Sequence, residues 1–242
     1  MRWIYLSPHF DDAVLSCGGL IFEQSRQGVR VEIWTIFAGD APAGPLSPLA
    51  LRCHASWGIP DVHELVQARR DEDLAAVSIV GAEVARFGLP DCIYRRTAEG
   101  DPMYPDEVFV PFHPSDQDLF VDIAAALAVE LEPDDILISP LAIGNHVDHR
   151  LARLAAERLK RPLLFYADIP YVFRNPEMLA PAAQGLASDL FPVSKEGLGA
   201  WVEAAATYRT QVALVFETET KMRASLRGEW EARHGIRLWK GI

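Results

Sequence analysis

The sequence predicts an α/β protein with three layers around a doubly wound, mainly parallel sheet. Three observations carry this. Short runs of β-branched, aliphatic and aromatic residues alternate with segments of helical periodicity from the first residues onward. The helical segments are long enough to serve as right-handed crossovers between parallel strands. Two polar clusters fall directly after predicted strands, where open α/β sheets bind ligands.

Trp3-Ile4-Tyr5-Leu6 reads as a buried strand, and Asp12 to Gln27 as the helix after it, with Val14, Cys17 and Ile21 on one stripe and Gly28 as its stop. Val29 to Phe37 is strand-like. Arg69 to Phe87 has helical spacing at Leu74, Val77, Gly81 and Val84, closed by Gly88. Cys92-Ile93-Tyr94 reads as a short strand. Ser115 and Asp118 resemble a capping box that opens a helix carrying Leu119, Phe120, Ile123, Leu127 and Leu131 inward. Ile136 to Ser139 is a buried strand ended by Pro140. Leu151, Leu154, Ala155 and Leu159 mark a helix, Leu163 to Tyr166 a further strand, and Leu198, Trp201, Val202, Ala205 and Tyr208 a late helix. Gly39–Asp61 and Glu99–Pro114 lack periodicity and read as loops, either rims of a site or surface decoration.

The length, 242 residues, and an apolar fraction of 50% suit one large domain or two small ones; no long linker divides the chain, and a single domain over residues 1–242 is expected. A net charge of −11 opposes binding to phosphate backbones and to anionic lipid, so neither nucleic acid nor membrane is expected as a partner. The longest apolar stretch, Ala13 to Phe22, is interrupted by Ser16 and two glycines and is too short to span a bilayer. The start of the chain, soon broken by Pro8, His9, Asp11 and Asp12, does not resemble a signal peptide. Cys17, Cys53 and Cys92 form neither a disulfide framework nor a metal knuckle, which points to a reducing cytoplasm.

The chemistry lies in Ser7-Pro8-His9-Phe10-Asp11-Asp12 and Asn145-His146-Val147-Asp148-His149. Imidazole and carboxylate are both good Zn²⁺ ligands, and spacings of three at a helix start put side chains on one face. His9, Asp12 and one histidine of the second pair can supply three ligands, leaving a position for water as catalytic sites do. Such a site also accepts Fe²⁺ or Co²⁺. Asp11 points away from Asp12 and can take a water proton. A histidine off the metal can stabilise an oxyanion or protonate a leaving amine, and Asp148 can fix a histidine tautomer. This inventory fits metal-assisted hydrolysis without a covalent intermediate. Against it stands the plainer reading of Asp11-Asp12 as a helix cap.

Pro8-His9-Phe10-Asp11-Asp12-Ala13-Val14-Leu15-Ser16-Cys17-Gly18-Gly19 resembles the P-H-P-D-D-x-x-L-G-x-G-G signature of the PIG-L/LmbE-like deacetylases, and His146-Val147-Asp148-His149 resembles their H-P-D-H. Arg69 and Glu72 are similar to the family's R-x-x-E, and Ala206 to Gln211 to its late A-x-Y-x-S-Q segment. The resemblance implies a three-layer Rossmann-like fold and a zinc hydrolase that removes N-acetyl or other N-acyl groups from small amino-sugar-type substrates. By motif position it implies His9, Asp12 and His149 as metal ligands, Asp11 as general base, and His146 as the group that polarises the carbonyl or acts as acid. Asp148 would support a histidine. Phe10 and Val147 stand where the family has proline, which is expected to loosen the two loops. The Gly18-Gly19 pair suggests close packing of the first helix against the sheet.

Arg69 is the candidate for an anionic substrate group, or else an exposed arginine paired with Glu72. The Cys53-His54 pair lacks an orienting acid for thiol catalysis. His113 can line the cleft or cap its own loop. Trp57, Tyr104, Phe109 and Phe112 can stack on a ligand or simply pack. The rival reading is a Rossmann-like nucleotide- or cofactor-binding module without hydrolase activity. No G-x-G-x-x-G follows the first strand, however, and Gly18-Gly19 lies too deep in its helix to cradle phosphate. A catalytically silent member serving a partner protein is opposed by the intact set His9, Asp11, Asp12, His146 and His149.

Overall fold

The computed structural model describes residues 1–241. Its first half runs β1 (Trp3–Ser7), α1 (Asp12–Arg26), β2 (Val31–Thr35), α2 (Pro48–Trp57), α3 (Val62–Val80), β3 (Glu83–Arg86) and α4 (Leu119–Glu130). There follow β4 (Ile136–Pro140), α5 (Val147–Arg158), β5 (Leu163–Tyr166), α6 (Tyr171–Arg174), α7 (Leu179–Ala182), β6 (Leu186–Pro192), α8 (Lys195–Thr207), α9 (Arg209–Phe216), α10 (Glu219–Arg233) and β7 (Gly235–Gly241). The strands form one sheet in the order β3-β2-β1-β4-β5-β7-β6. The first five run parallel, with Tyr5 level with Ile33 on one side and Ile138 on the other. At the far edge β7 pairs antiparallel with β5 and with β6.

Alternation along the central strands builds the three layers. Tyr5, Ile33 and Ile138 face a core shared with α1, α3, α8 and α10, whereas Ile4, Leu6, Trp34 and Leu137 face one shared with α4 and α5. The strand order reverses between β1 and β4. The loops leaving these two strands therefore diverge to opposite faces and open a crevice between them.

Several predicted elements are corrected. The helix assigned to Arg69–Phe87 is α3, which begins at the Asp61 cap and stops at Gly81 in the left-handed conformation; the chain then turns into β3. The stretch Gly39–Asp61 contains α2, opened by the Ser47 cap with Pro48 at its first position. Cys92–Tyr94 is a 3₁₀ turn capped by Asp91, not a strand. Ser115 makes no capping box. It lies in a 3₁₀ turn (Pro114–Asp116) that His113 caps through Nδ1, and α4 begins only at Leu119.

Gly18 and Gly19 do lie close to another part of the chain, but it is Trp201 of α8 and Val193 in the turn before α8 rather than the central strands. A Cβ on Gly18 would lie 2.6 Å from Trp201 Cδ1, and one on Gly19 would lie 2.9 Å from Val193 Cγ1. Trp201 is fully buried and donates its indole N–H to the Leu15 carbonyl at 3.0 Å, so the ring has no room to retreat. Gly18→Ala should therefore destabilise the fold by about 1–3 kcal/mol through overpacking, although alanine favours a helix. The expected fall in melting temperature is roughly 2–4 °C per kcal/mol; a melting temperature at or above that of the parent would contradict this packing account.

Candidate active site

The turn from β1 into α1 is tied by Ser7, whose hydroxyl donates to the His9 carbonyl (2.5 Å) and accepts from the Ala13 N–H (3.0 Å). This sends His9 and Asp12 to one side. Asp12 Oδ2 lies 3.2 Å from His9 Nδ1, and Asp12 Oδ1 lies 3.3 Å from His149 Nε2 in the first turn of α5. His9, Asp12 and His149 thus present three buried donor atoms within 4.8 Å of one another.

Each imidazole is held from behind. His9 Nε2 is 3.0 Å from Asp148 Oδ2, and His149 Nδ1 is 2.6 Å from Asp168 Oδ1. Carboxylates on the rear nitrogens fix the tautomers that leave His9 Nδ1 and His149 Nε2 as lone-pair donors. His149 Nε2 is completely buried, and among the described residues no group is aligned to hydrogen-bond with it. Among the described residues of this region, six buried carboxylates (Asp11, Asp12, Asp91, Asp116, Asp148 and Asp168) meet two buried guanidiniums, Arg69 and Arg95. An orphaned imidazole nitrogen in an excess of negative charge fits a divalent cation, and the His₂Asp donor set fits Zn²⁺. Burial opposes charge on His149, yet Asp12 and Asp168 lift it to about 9, so the local field favours a cation at this point.

Asp11 occupies the N-cap position of α1 but makes no capping hydrogen bond. Its carboxylate instead lines a cavity of ≈ 260 Å³ that also exposes His9, Asp12 and His146. Burial and the charge of Asp12 push Asp11 up to about 6, against the pull of Arg69 and His9. His146 caps α5, its Nδ1 accepting from the Asp148 N–H at 3.2 Å, so the neutral ring carries its proton on Nε2. Burial and the charges of His9 and His149 push His146 down to about 3.

Arg69 is not an exposed helix-start residue. It lies inside α3, 6% exposed, with its guanidinium 5.4 Å from the rings of both Phe10 and Trp57. It bonds Asp91 at 3.3 Å and approaches Asp11 at 3.9 Å. With its amide oxygen turned inward, Gln211 accepts from Arg69 Nε and Trp57 Nε1, both at 3.3 Å. Glu72 serves a different purpose: it accepts from the Thr210 N–H and hydroxyl (3.0 and 2.7 Å) and fastens α3 to the start of α9.

Neither residue in a proline position loosens its loop. The Val147 N–H donates to the Val108 carbonyl at 3.0 Å, a bond proline cannot make. Phe10 packs beneath Arg69, and its carbonyl accepts from Tyr208 Oη at 3.0 Å. Trp57 and Phe109 reach the cavity, whereas His113, Tyr104 and Phe112 do not line it. His54 bonds Tyr94 Oη at 2.7 Å and turns its other nitrogen to backbone carbonyls, a structural histidine with no thiol partner.

Asp91, Arg95 and Asp168 belong to this site and were not picked out from the sequence. Asp168 had a usable signal, an acid two residues past a strand on the ligand-binding edge. Asp91 and Arg95 had none, because they flank a turn that reads as a strand.

The family model described as PIG-L, GlcNAc-PI de-N-acetylase, matches residues 4–160. The 2′-N-acetylparomamine deacetylase of Niallia circulans is 30% identical, the alignment covering 91% of this chain and 85% of that protein. Among solved structures, the zinc-inhibited form of teicoplanin deacetylase Orf2 superposes with a TM-score of 0.81 at 27% identity, covering 99% of this chain and 97% of the other. The A40926 pseudoaglycone deacetylase Dbv21 gives 0.78 at 29% identity, covering 99% and 96%. The chain belongs to the PIG-L, GlcNAc-PI de-N-acetylase, family.

Proposed function

We propose that this chain is a metal-dependent N-deacetylase for a small N-acylated amino sugar, with His9, Asp12 and His149 holding Zn²⁺ and the whole reaction carried by one domain, residues 1–242. Fe²⁺ or Co²⁺ would suit the same donors. The observation that carries this reading is the double grip on the donors: Asp12 faces both imidazoles, and Asp148 and Asp168 hold their rear nitrogens. The named deacetylase activities of the relatives support the reaction type.

A bound Zn²⁺ would supply Lewis acidity toward water and the amide carbonyl. Asp11 accepts the proton of the attacking water and returns it to the departing nitrogen. Its elevated pKa suits both transfers near neutral pH. The Nε2–H of neutral His146 donates to the carbonyl oxygen as charge gathers there. The amide C–N bond breaks, giving a carboxylic acid and a free amine. Asp91 and Arg69 offer an acceptor and a donor for sugar hydroxyls on the cavity wall, while Trp57 and Phe109 offer ring faces. The cavity is small for a ligand site, which favours one sugar unit at the centre. Three free thiols agree with a reducing compartment such as the cytoplasm, and among the described residues no helix is long and apolar enough to cross a membrane.

Elemental analysis of protein purified without chelators should find about one zinc per chain in the parent and little in Asp12→Ala or His149→Ala. A metal-free parent that takes up no added zinc would overturn the reading. Asp11→Asn should retain metal and lose roughly 10²–10⁴-fold in amine release from N-acetyl amino sugars; near-normal turnover would remove Asp11 as the base. Asp168→Asn should weaken zinc binding by roughly 10–100-fold in a chelator competition, and unchanged affinity would show that His149 needs no support.

A further inference from the structure

One buried cation next to the metal site has no part in the chemistry above. Arg95 is 5% exposed and does not line the catalytic cavity. Its Nε donates to Asp116 Oδ2 at 2.8 Å, and one terminal nitrogen lies 2.7 Å from that oxygen and 2.6 Å from Asp148 Oδ1. The other terminal nitrogen donates to the Pro90 carbonyl at 3.2 Å. Phe37 and Tyr104 enclose the guanidinium, their ring centroids 4.9 and 5.6 Å away.

The position of this grip matters. Asp148 is fully buried, and its Oδ2 holds His9 Nε2 and accepts from the Cys92 N–H, both at 3.0 Å. Arg95 is the guanidinium facing its other oxygen, in an ion pair at 2.6 Å that lacks hydrogen-bond alignment. This pairing holds the carboxylate where Oδ2 meets His9 and the Cys92 N–H. Asp116 also accepts from Tyr104 Oη at 2.9 Å, and that oxygen accepts from the His113 N–H at 3.1 Å. The pair Arg95–Asp116 therefore closes the base of the loop between them. The middle of that loop carries Val108 and Phe109 into the cavity wall, with Phe109 stacked edge-on to His146 at 5.6 Å.

We infer that Arg95 is a positioning residue for the metal centre, fixing through Asp148 the orientation of His9 and suspending the substrate-facing loop from the same guanidinium. This rests on the reading of His9 as a metal ligand. Lysine can replace the charge but not the fork that spans Asp116 and Asp148 together.

The test measures zinc affinity by chelator competition, the visible spectrum of the Co²⁺-loaded protein, and kinetics on an N-acetyl amino sugar. Arg95→Met should bind zinc roughly 10–100-fold more weakly, as loss of an outer-shell partner does, with a changed Co²⁺ spectrum. Arg95→Lys should recover part of that loss. Asp116→Asn, which frees the loop base but leaves Arg95 on Asp148, should raise KM several-fold with near-parental zinc affinity. Parental zinc affinity and Co²⁺ spectrum in folded Arg95→Met would overturn the inference. If that variant fails to fold, the same result in Arg95→Lys would overturn it. His9→Ala, run alongside, separates the two readings. Retained zinc affinity there removes His9 as a ligand, whereas loss of zinc there with none in the Arg95 variants removes only the role of Arg95.

Discussion

The bond between His149 Nδ1 and Asp168 and its counterpart between His9 Nε2 and Asp148 are the constraint on which the site depends. An imidazole offers a metal a lone pair from either nitrogen and can swivel about its side-chain bonds. Here a buried carboxylate engages one nitrogen of each ring and leaves the other facing Asp12. The two supports come from different elements, the first turn of α5 and the loop after β5. Only a parallel arrangement that lines up the carboxyl ends of β1, β4 and β5 brings both to the crevice.

That arrangement concentrates negative charge away from water, which is costly unless cations answer it. Arg69 answers Asp91 and approaches Asp11; Arg95 answers Asp148 and Asp116. Asp12 and Asp168 face imidazoles and one backbone N–H each, from His9 and Ile143. The residual field at Asp12 is what a divalent cation would neutralise. Metal binding and retention of the folded site should therefore be coupled. The aromatic rings around both arginines exclude water and make each pairing stronger than it would be at the surface.

The central strands were legible because they are almost wholly buried, and α1, α5 and α8 because their buried apolar residues recur at helical spacing. Every donor in the two polar clusters was visible too, since Asp and His side by side after an apolar run have little structural reason to be there. What escaped had weaker local signals. Edge strand β6 carries Ser188 and Asp189 among its apolar residues, so its alternation is diluted. β3 is four residues long and continues the spacing of α3, and only Ala82 and the left-handed Gly81 separate them. Arg95 is one of two adjacent arginines, and nothing local distinguishes it from Arg96, whose guanidinium bonds loop carbonyls. Its importance comes from long-range pairing with Asp116 and Asp148, a tertiary fact.

A Rossmann-like sheet with a helix N-terminus at its switch point is commonly a phosphate site, and the details here show why this one is not. In the phosphate-binding version, glycines sit in the turn so that backbone N–H groups can approach an anion. In this chain the turn holds His9, Phe10, Asp11 and Asp12, and the glycines lie further along α1, used up against Trp201 and Val193. Carboxylates therefore occupy the positive end of the helix where a ligand phosphate would otherwise dock. Asp12 meets the helix dipole directly, which helps keep it ionised, and the crevice repels phosphate while attracting a cation. On the proposed reading, the same strand-end geometry that elsewhere cradles a nucleotide serves a metal-dependent hydrolytic centre through the side chains of one short turn. The late helix α8 and the turn before it, which demand the glycines, help to keep it so.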